Sequence, residues 1–199
     1  MTRFRRGVRE PGSGVLGQAH TWDRATAGVV LARLGPGRQP PLSFFTPPEE
    51  AAAEALLDHL LARGPEDPRI PVLSVIDARL STGETDGWRY ADVPEDGETW
   101  RRSLAALDAD AALRHTGRAF AEIGHGDRHR LLRHVQDLGA GDWYGLPAAH
   151  VWTLWTRYAC AAYYAHPYAW DEIGFGGPAY PRGYLRLGRG KREPWEEPR

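Results

Sequence analysis

TPPEEAAAEALLDHLL, residues 46 to 61, reads as a helix from its first residue. Thr46 stands where an N-cap belongs, Pro47 takes the first helical position without losing a bond, and Glu49 follows three residues after the cap. Ala53, Leu56, Leu57, Leu60 and Leu61 then recur at helical spacing along one face, and Gly64-Pro65 ends the run. A helix with one apolar stripe has to bury that stripe against another element.

The neighbouring segments supply more helices. Upstream, Asp23 is placed to cap a short helix carrying Val29, Val30, Leu31 and Leu34, closed by Gly35-Pro36-Gly37. Residues from there to Phe45 read as loop. Downstream, Ile70 to Leu80 admits two readings: its β-branched residues suit a strand, while Val72, Val75, Ile76 and Leu80 share one helical face. The helical surroundings favour the helix. Residues 81 to 98 are polar and turn-rich, with Trp88 and Tyr90 set among Gly83, Gly87, Pro94 and Gly97. Trp100, Leu104 and Leu107 mark another helix, Phe120 and Ile123 a shorter one, and Leu131, Leu132, Val135 and Leu138 a further stripe between Gly126 and Gly139.

The last long helix is predicted from about Pro147 to Ala165. Val151, Leu154, Trp155 and Tyr158 form one of its faces, and Trp152, Ala159 and Tyr163 cover another. A helix this apolar all round is normally enclosed. It is either the central helix of a bundle, the commoner arrangement, or a helix with one side beneath a partner. The expected fold is all-α: a single irregular helical bundle over residues 21 to 187, after a flexible Arg- and Gly-rich tail over residues 1 to 20 and before a charged tail over 188 to 199.

Composition narrows the function. A chain of 199 residues with 42% hydrophobic content can bury a core, and a formal net charge of -1 argues against a domain built to hold nucleic acid. The lone cysteine, Cys160, excludes an internal disulfide and fits a reducing compartment; among Ala159, Ala161 and Ala162 it reads as a small buried residue. No apolar run approaches the length of a membrane span. Arg5-Arg6 is followed by Pro11, Gly12, Ser13 and Gly14 where a signal peptide would be apolar, so a cytoplasmic protein is expected, with export to the periplasm as the alternative.

The usual chemical constellations stay incomplete. His125 and His129 stand four apart, with His134 just beyond, but zinc needs a third and fourth ligand in matching geometry. No Gly-x-Ser-x-Gly frame surrounds Ser43, Ser74, Ser81 or Ser103. Asp108 and Asp110 sit beside an expected helix terminus, where capping is their commoner use. The glycines at 174, 176 and 177 neither follow a strand nor open a helix, so they do not form the phosphate-cradling fingerprint. The basic run Arg182, Arg186, Arg189, Lys191 and Arg192, with Tyr184 and Trp195, has the charge and rings to hold single-stranded nucleic acid, but Glu193, Glu196 and Glu197 follow at once. No catalytic, cofactor-binding or metal-binding residue is singled out.

What remains is the C-terminal stretch, residues 166 to 187. Pro167, Pro178 and Pro181 restrict its backbone, while Gly174, Gly176, Gly177 and Gly183 permit tight turns. Such a backbone makes few internal hydrogen bonds, so an ordered arm must lie on something that fixes its rings. Those rings either seal the end of the bundle or dock into another subunit, where aromatic and Arg side chains form hot spots. The residues expected to make that contact are Tyr163, Tyr164, His166, Trp170, Phe175, Tyr180, Arg182 and Tyr184.

The run from Ala162-Tyr163-Tyr164-Ala165-His166-Pro167 through Ala169-Trp170-Asp171-Glu172-Ile173-Gly174-Phe175-Gly176-Gly177-Pro178-Ala179-Tyr180-Pro181-Arg182-Gly183-Tyr184 closely resembles the C-terminal signature of the gluconate 2-dehydrogenase subunit 3 family. Upstream the likeness is looser, through the helix after Thr46, Ile70-Pro71-Val72 into Ile76-Asp77, and Trp100-Arg101-Arg102-Ser103-Leu104; it spans about residues 42 to 187. The resemblance implies a helical small subunit with no redox cofactor of its own. It implies as partner a large flavoprotein of the glucose–methanol–choline oxidoreductase type, which holds FAD and oxidises a sugar or other alcohol. In some complexes a cytochrome subunit takes the electrons onward. The small subunit is then expected to stabilise and help mature that partner. The alternative is a small stand-alone enzyme with a pocket between the helices and the arm, using His166, Asp171, Glu172 and Arg182.

Overall fold

The computed structural model describes residues 14–35, 41–63, 70–181, 183–186, 188–191 and 193. Helices make the fold: α1 (Arg24–Ala32), α2 (Pro47–Leu60), α3 (Val72–Ser81), α4 (Asp96–Arg114), α5 (His125–Asp137), α6 (Ala148–Tyr164) and α7 (Pro167–Ile173), with 3-10 turns at Val15–Thr21 and Phe120–Glu122. The strands among the described residues are β1 (Asp142–Trp143) and β2 (Leu146–Pro147), an antiparallel pair with Trp143 opposite Leu146. The fold is all-α, as the sequence predicts. The helices group into two compact units, one of residues 40–65 and 71–162, the other of residues 1–39, 66–70 and 163–199.

In the larger unit α2 begins as its sequence predicts. The Glu49 carboxylate accepts from the backbone N–H and the hydroxyl of Thr46, both at 2.8 Å. Arg101 of α4 donates to the same carboxylate at 2.9 Å and to the Phe44 carbonyl at 2.7 Å, so the cap also ties α2 to α4. Burial on α2 covers Ala52, Ala53, Ala55, Leu56 and Leu57, while Leu60 and Leu61 are only half-buried. The alanines give that face little bulk where α4, α3, α5 and the Phe120–Glu122 turn pack on it.

Residues 72 to 81 are helical and not a strand, and α3 buries Val72, Leu73, Ile76 and Leu80. On the same face it buries Asp77, 4% exposed. Its carboxylate accepts from three successive backbone N–H groups, Ser43 at 2.8 Å, Phe44 at 2.9 Å and Phe45 at 3.0 Å, and from the Ser43 hydroxyl at 3.2 Å. A nest of this kind satisfies a buried anion with peptide dipoles. It also fixes the segment that leads into the α2 cap. Phe45, placed by this nest, meets Trp100 edge-on at 5.9 Å, and Trp100 meets Tyr158 of α6 in the same manner at 5.9 Å. Trp155 donates to the Ser103 hydroxyl at 2.9 Å and packs edge-on against Trp143 at 5.7 Å. The core of this unit is therefore built largely from rings.

Two expectations change. Asp108 and Asp110 lie within the last turns of α4, not beside its end. Asp108 still works as a cap, accepting from the Phe120 N–H at 2.9 Å at the start of the next turn, while buried Asp110 receives Arg114 at 2.6 Å. Cys160 is exposed, because the inner stripe of α6 runs through Val151, Leu154, Trp155, Tyr158 and Ala159 and turns residues 160 and 161 outward.

The smaller unit contains the Val15–Thr21 turn, α1, the end of α6 and α7. Asp23 caps α1 as predicted, accepting from the Thr26 N–H at 2.7 Å. The tail expected over residues 1 to 20 is folded from Gly14 onward, with Val15 buried. Residues 1–13, like Pro36 and Gly37, lie outside the described residues.

Burial works against the charge of Asp77, but the Ser43, Phe45 and Phe44 N–H groups and the Ser43 hydroxyl outweigh it and hold the carboxyl below its ordinary 3.8. A carboxyl lowered in the folded state contributes stability that is complete above the ordinary value and disappears as pH falls through the folded one. Asp77→Ala, which strands three N–H groups, is expected to lower the unfolding free energy by about 2–4 kcal/mol at pH 7. The variant should also lose less stability than wild type between pH 5 and 3; urea titrations across that range measure both.

Candidate functional site

The arm starts as a short helix. His166 is its N-cap, its Nδ1 accepting from the Tyr168 N–H at 3.3 Å, and Pro167 takes the first position. Gly174, at φ 69°, closes α7 in the left-handed conformation, and the Phe175 N–H returns to the Trp170 carbonyl at 2.9 Å. Two helical turns thus open a stretch whose prolines and glycines predict irregular backbone, because Pro and Gly sit at the ends of α7 and not inside it.

Trp170 is the centre of this unit. It is 6% exposed and joins Val15, Trp22 and Val30 in one apolar cluster, with Leu16, Ala19 and Ala27 packed on its edge. Its indole N–H donates to the Tyr164 carbonyl at 2.7 Å, Phe175 meets its ring edge-on at 5.3 Å, and the Arg33 guanidinium lies 5.7 Å from the ring centroid. Arg33 also donates to the Ala165 carbonyl at 3.3 Å. Beside this cluster, the Asp171 carboxylate accepts from the Val15 N–H at 2.8 Å.

Two glycines make the approach possible. A Cβ on Gly14, at φ +78°, would lie 2.4 Å from an Asp171 carboxylate oxygen; on Gly177, also at φ +78°, it would lie 2.5 Å from Val15 Cγ2 and 3.1 Å from Trp22. Residues 174 to 177 are therefore a helix cap and a packing surface for the chain's own side chains, which does not fit a phosphate cradle.

The residues expected at the contact fall into separate groups. Tyr163, His166 and Trp170 are buried within the chain. The Tyr163 hydroxyl donates to Glu172 at 2.7 Å, and burial pushes the His166 imidazole below its ordinary pKa of 6.5, which keeps it neutral and able to cap α7. Tyr164, Phe175, Tyr180 and Tyr184 are exposed, as are Tyr168, Ile173 and Leu185, which the sequence reading did not select. Position within α7 separates Tyr168 and Ile173 from Trp170, a distinction that the composition of the stretch does not carry. Arg182 lies outside the described residues. The groups that an arm-side enzyme would use are committed: His166 to the cap, Asp171 to Val15 and Glu172 to Tyr163.

A second constellation, in the larger unit, was not visible in the sequence because its members are far apart in the chain. Asp96, at the start of α4, accepts from the Tyr158 hydroxyl at 2.8 Å and from Arg157 at 2.9 Å. Arg157 also pairs with Asp86, which receives Arg79 at 2.8 Å. The guanidinium of Arg157 lies 4.9 Å from the Trp88 ring centroid, Trp88 meets Tyr90 edge-on, and Tyr90 stacks on His150 at 3.7 Å. Burial, with the hydrogen bond to Asp96, pushes the Tyr158 phenol well up, so it serves as a proton donor in a structural bond. The charges are paired, and their evident work is to pin the loop after α3 onto α6. Among the described residues no three His, Cys, Asp or Glu side chains are grouped to hold a metal ion.

The sequence pattern described as gluconate 2-dehydrogenase subunit 3 matches residues 47–177. The chain belongs to that family. No curated protein and no solved structure matches it. The subunit 3 match starts at the first residue of α2 and ends at Gly177, the glycine packed on Val15 and Trp22. The Val15–Thr21 turn and α1, which supply the other half of the Trp170 cluster, precede the matched span.

Gly177→Ala combines a positive φ with a clash, whereas Gly183→Ala has the same φ strain and open space around it. The first is expected to cut amide-exchange protection in α7 by about tenfold or more, the second to leave it within about threefold. Hydrogen exchange resolved to the α7 amides distinguishes packing from backbone strain.

Proposed function

We propose that this chain is a non-catalytic small subunit that binds, stabilises and helps mature a large FAD-dependent dehydrogenase of the glucose–methanol–choline type, acting on a sugar or other alcohol. Membership of the subunit 3 family supports the subunit role. The arm supplies the physical support. Tyr164, Tyr168, Ile173, Phe175, Tyr180, Tyr184 and Leu185 stand 41 to 70% exposed, and the Trp170 cluster with Gly177 packed on Val15 and Trp22 holds the arm as far as residue 177. Rings presented on backbone that is already ordered lose little conformational freedom on binding, so more of the gain from removing apolar surface from water becomes affinity.

In this reading the chain performs no redox step. FAD sits on the partner and supplies the oxidising chemistry there; where a cytochrome subunit is present, it carries the electrons onward. The contribution of this chain is to fill pockets with Phe175, Tyr180 and Tyr184 and so shift the partner toward its folded, assembled state.

The division of the arm into inner and outer rings makes the test clean. Tyr180→Ala with Tyr184→Ala is expected to keep the chain's own thermal midpoint within a few degrees while lowering co-purified flavoprotein about tenfold or more on co-expression with a candidate large subunit from an adjoining reading frame. Trp170→Ala should instead destabilise the isolated chain by about 3–5 kcal/mol, since it empties a core site. Unchanged co-purification of the double variant, or substrate turnover by the isolated chain, would count against the proposal.

A further inference from the structure

Three histidines from two helices meet at the edge of the larger unit. His59 lies in the last turn of α2, and His125 and His129 lie on the first two turns of α5. His59 Nε2 and His129 Nδ1 are 3.2 Å apart, and the His59 ring lies 4.7 Å from that of His125 and 5.3 Å from that of His129 between centroids. A hydrogen bond between two imidazoles needs a proton on one nitrogen and a lone pair on the other. Two neutral rings satisfy this, and so does a pair sharing one extra proton. When both rings are protonated the bond is lost and two cations face each other, with His125 beside them.

Among the described residues, the neighbouring carboxylates are turned to other partners. Asp58 and Glu54 of α2 are turned to Arg63, at 3.4 and 4.0 Å. On α5, Asp127 pairs with Arg130 and lies 4.0 Å from His115 at the end of α4. The carboxylate of Glu122, in the 3-10 turn before α5, accepts from the Ala119 N–H. Arg128, between the two α5 histidines, donates to the Phe120 and Ala121 carbonyls. Among the described residues no carboxylate is bonded to any of the three imidazoles.

We propose that His59, His125 and His129 form an acid-sensitive latch between the C-terminal end of α2 and the start of α5, closed while the rings are neutral and forced open when the cluster takes up protons. The apolar residues of α5, Leu131, Leu132 and Val135, hold the rest of that helix, so release is confined to its first two turns. Burial first, then the neighbouring His125, His129 and Arg128, lowers the pKa of His59 from its ordinary 6.5. A histidine lowered in the folded state contributes stability that is complete above the ordinary value and is lost as pH falls through the folded value, because the unfolded chain binds the proton more readily. This loss begins well above the pH at which the carboxylates titrate.

The test compares wild type with His59→Gln and, as a second variant on the exposed side, His129→Gln. Thermal midpoints are read from pH 8 to 4, and amide exchange is followed in residues 125 to 132. Wild type is expected to lose about 2–4 °C or more between pH 7.5 and 5.5, with protection falling first at the start of α5. His59→Gln should be shallower than wild type over that window, keeping the slope that buried His166 contributes, and His129→Gln should also be shallower, whatever their absolute midpoints. Equal slopes in all three proteins would overturn the latch. So would a midpoint at pH 7.5 that rises with added Zn2+ in wild type alone, which would make the cluster a metal site.

Discussion

The order of the arm depends on one contact: the indole of Trp170 set against Val15, Trp22 and Val30, with Asp171 holding the Val15 N–H beside it. A segment rich in Pro and Gly has little hydrogen bonding of its own, so its conformation comes from what it touches. Here it touches the start of its own chain. Side chains at residues 14 and 177 would keep the two strips of backbone apart, and both positions are glycine. In the proposed role the arm would therefore meet a partner already shaped, with its binding energy concentrated in the outward rings.

The larger unit answers a similar problem with charge. Asp77 collects the N–H groups of residues 43 to 45 and so delivers Phe45 to Trp100 and Thr46 to its cap. Glu49 then joins that cap to Arg101 of α4. Single carboxylates thus connect a loop, two helix starts and a ring core. On α2 the small Ala52, Ala53 and Ala55 allow close approach, while Leu56 and Leu57 fill the core beside them.

Much of this was legible from local signals. The α2 cap, the helical period of residues 72 to 80, the apolar stripes of α5 and α6, the Asp23 cap and the family signature all lie within short windows of sequence. What could not be read is what spans the chain. Nothing near Val15 announces that it will lie on an aromatic residue more than 150 positions later, so the N-terminal residues looked like a tail. The inner and outer rings of the arm have the same composition and differ only by their position on a seven-residue helix bounded by His166 and Gly174. Cys160 looked buried among alanines because composition does not reveal which side of α6 faces out. The ion network of Arg79, Asp86, Asp96 and Arg157 joins segments up to 78 positions apart and leaves no periodic trace.

The outward position of Cys160 has a practical consequence. It is the only thiol in the chain and stands in open solvent on a long rigid helix. Under aerobic handling two molecules can join through it, giving a covalent species that mimics a native oligomer on gel filtration and vanishes with reductant. Conversely, a fluorophore or spin probe coupled there labels a single known point on α6, and distances measured from it would report on assembly without any engineered residue.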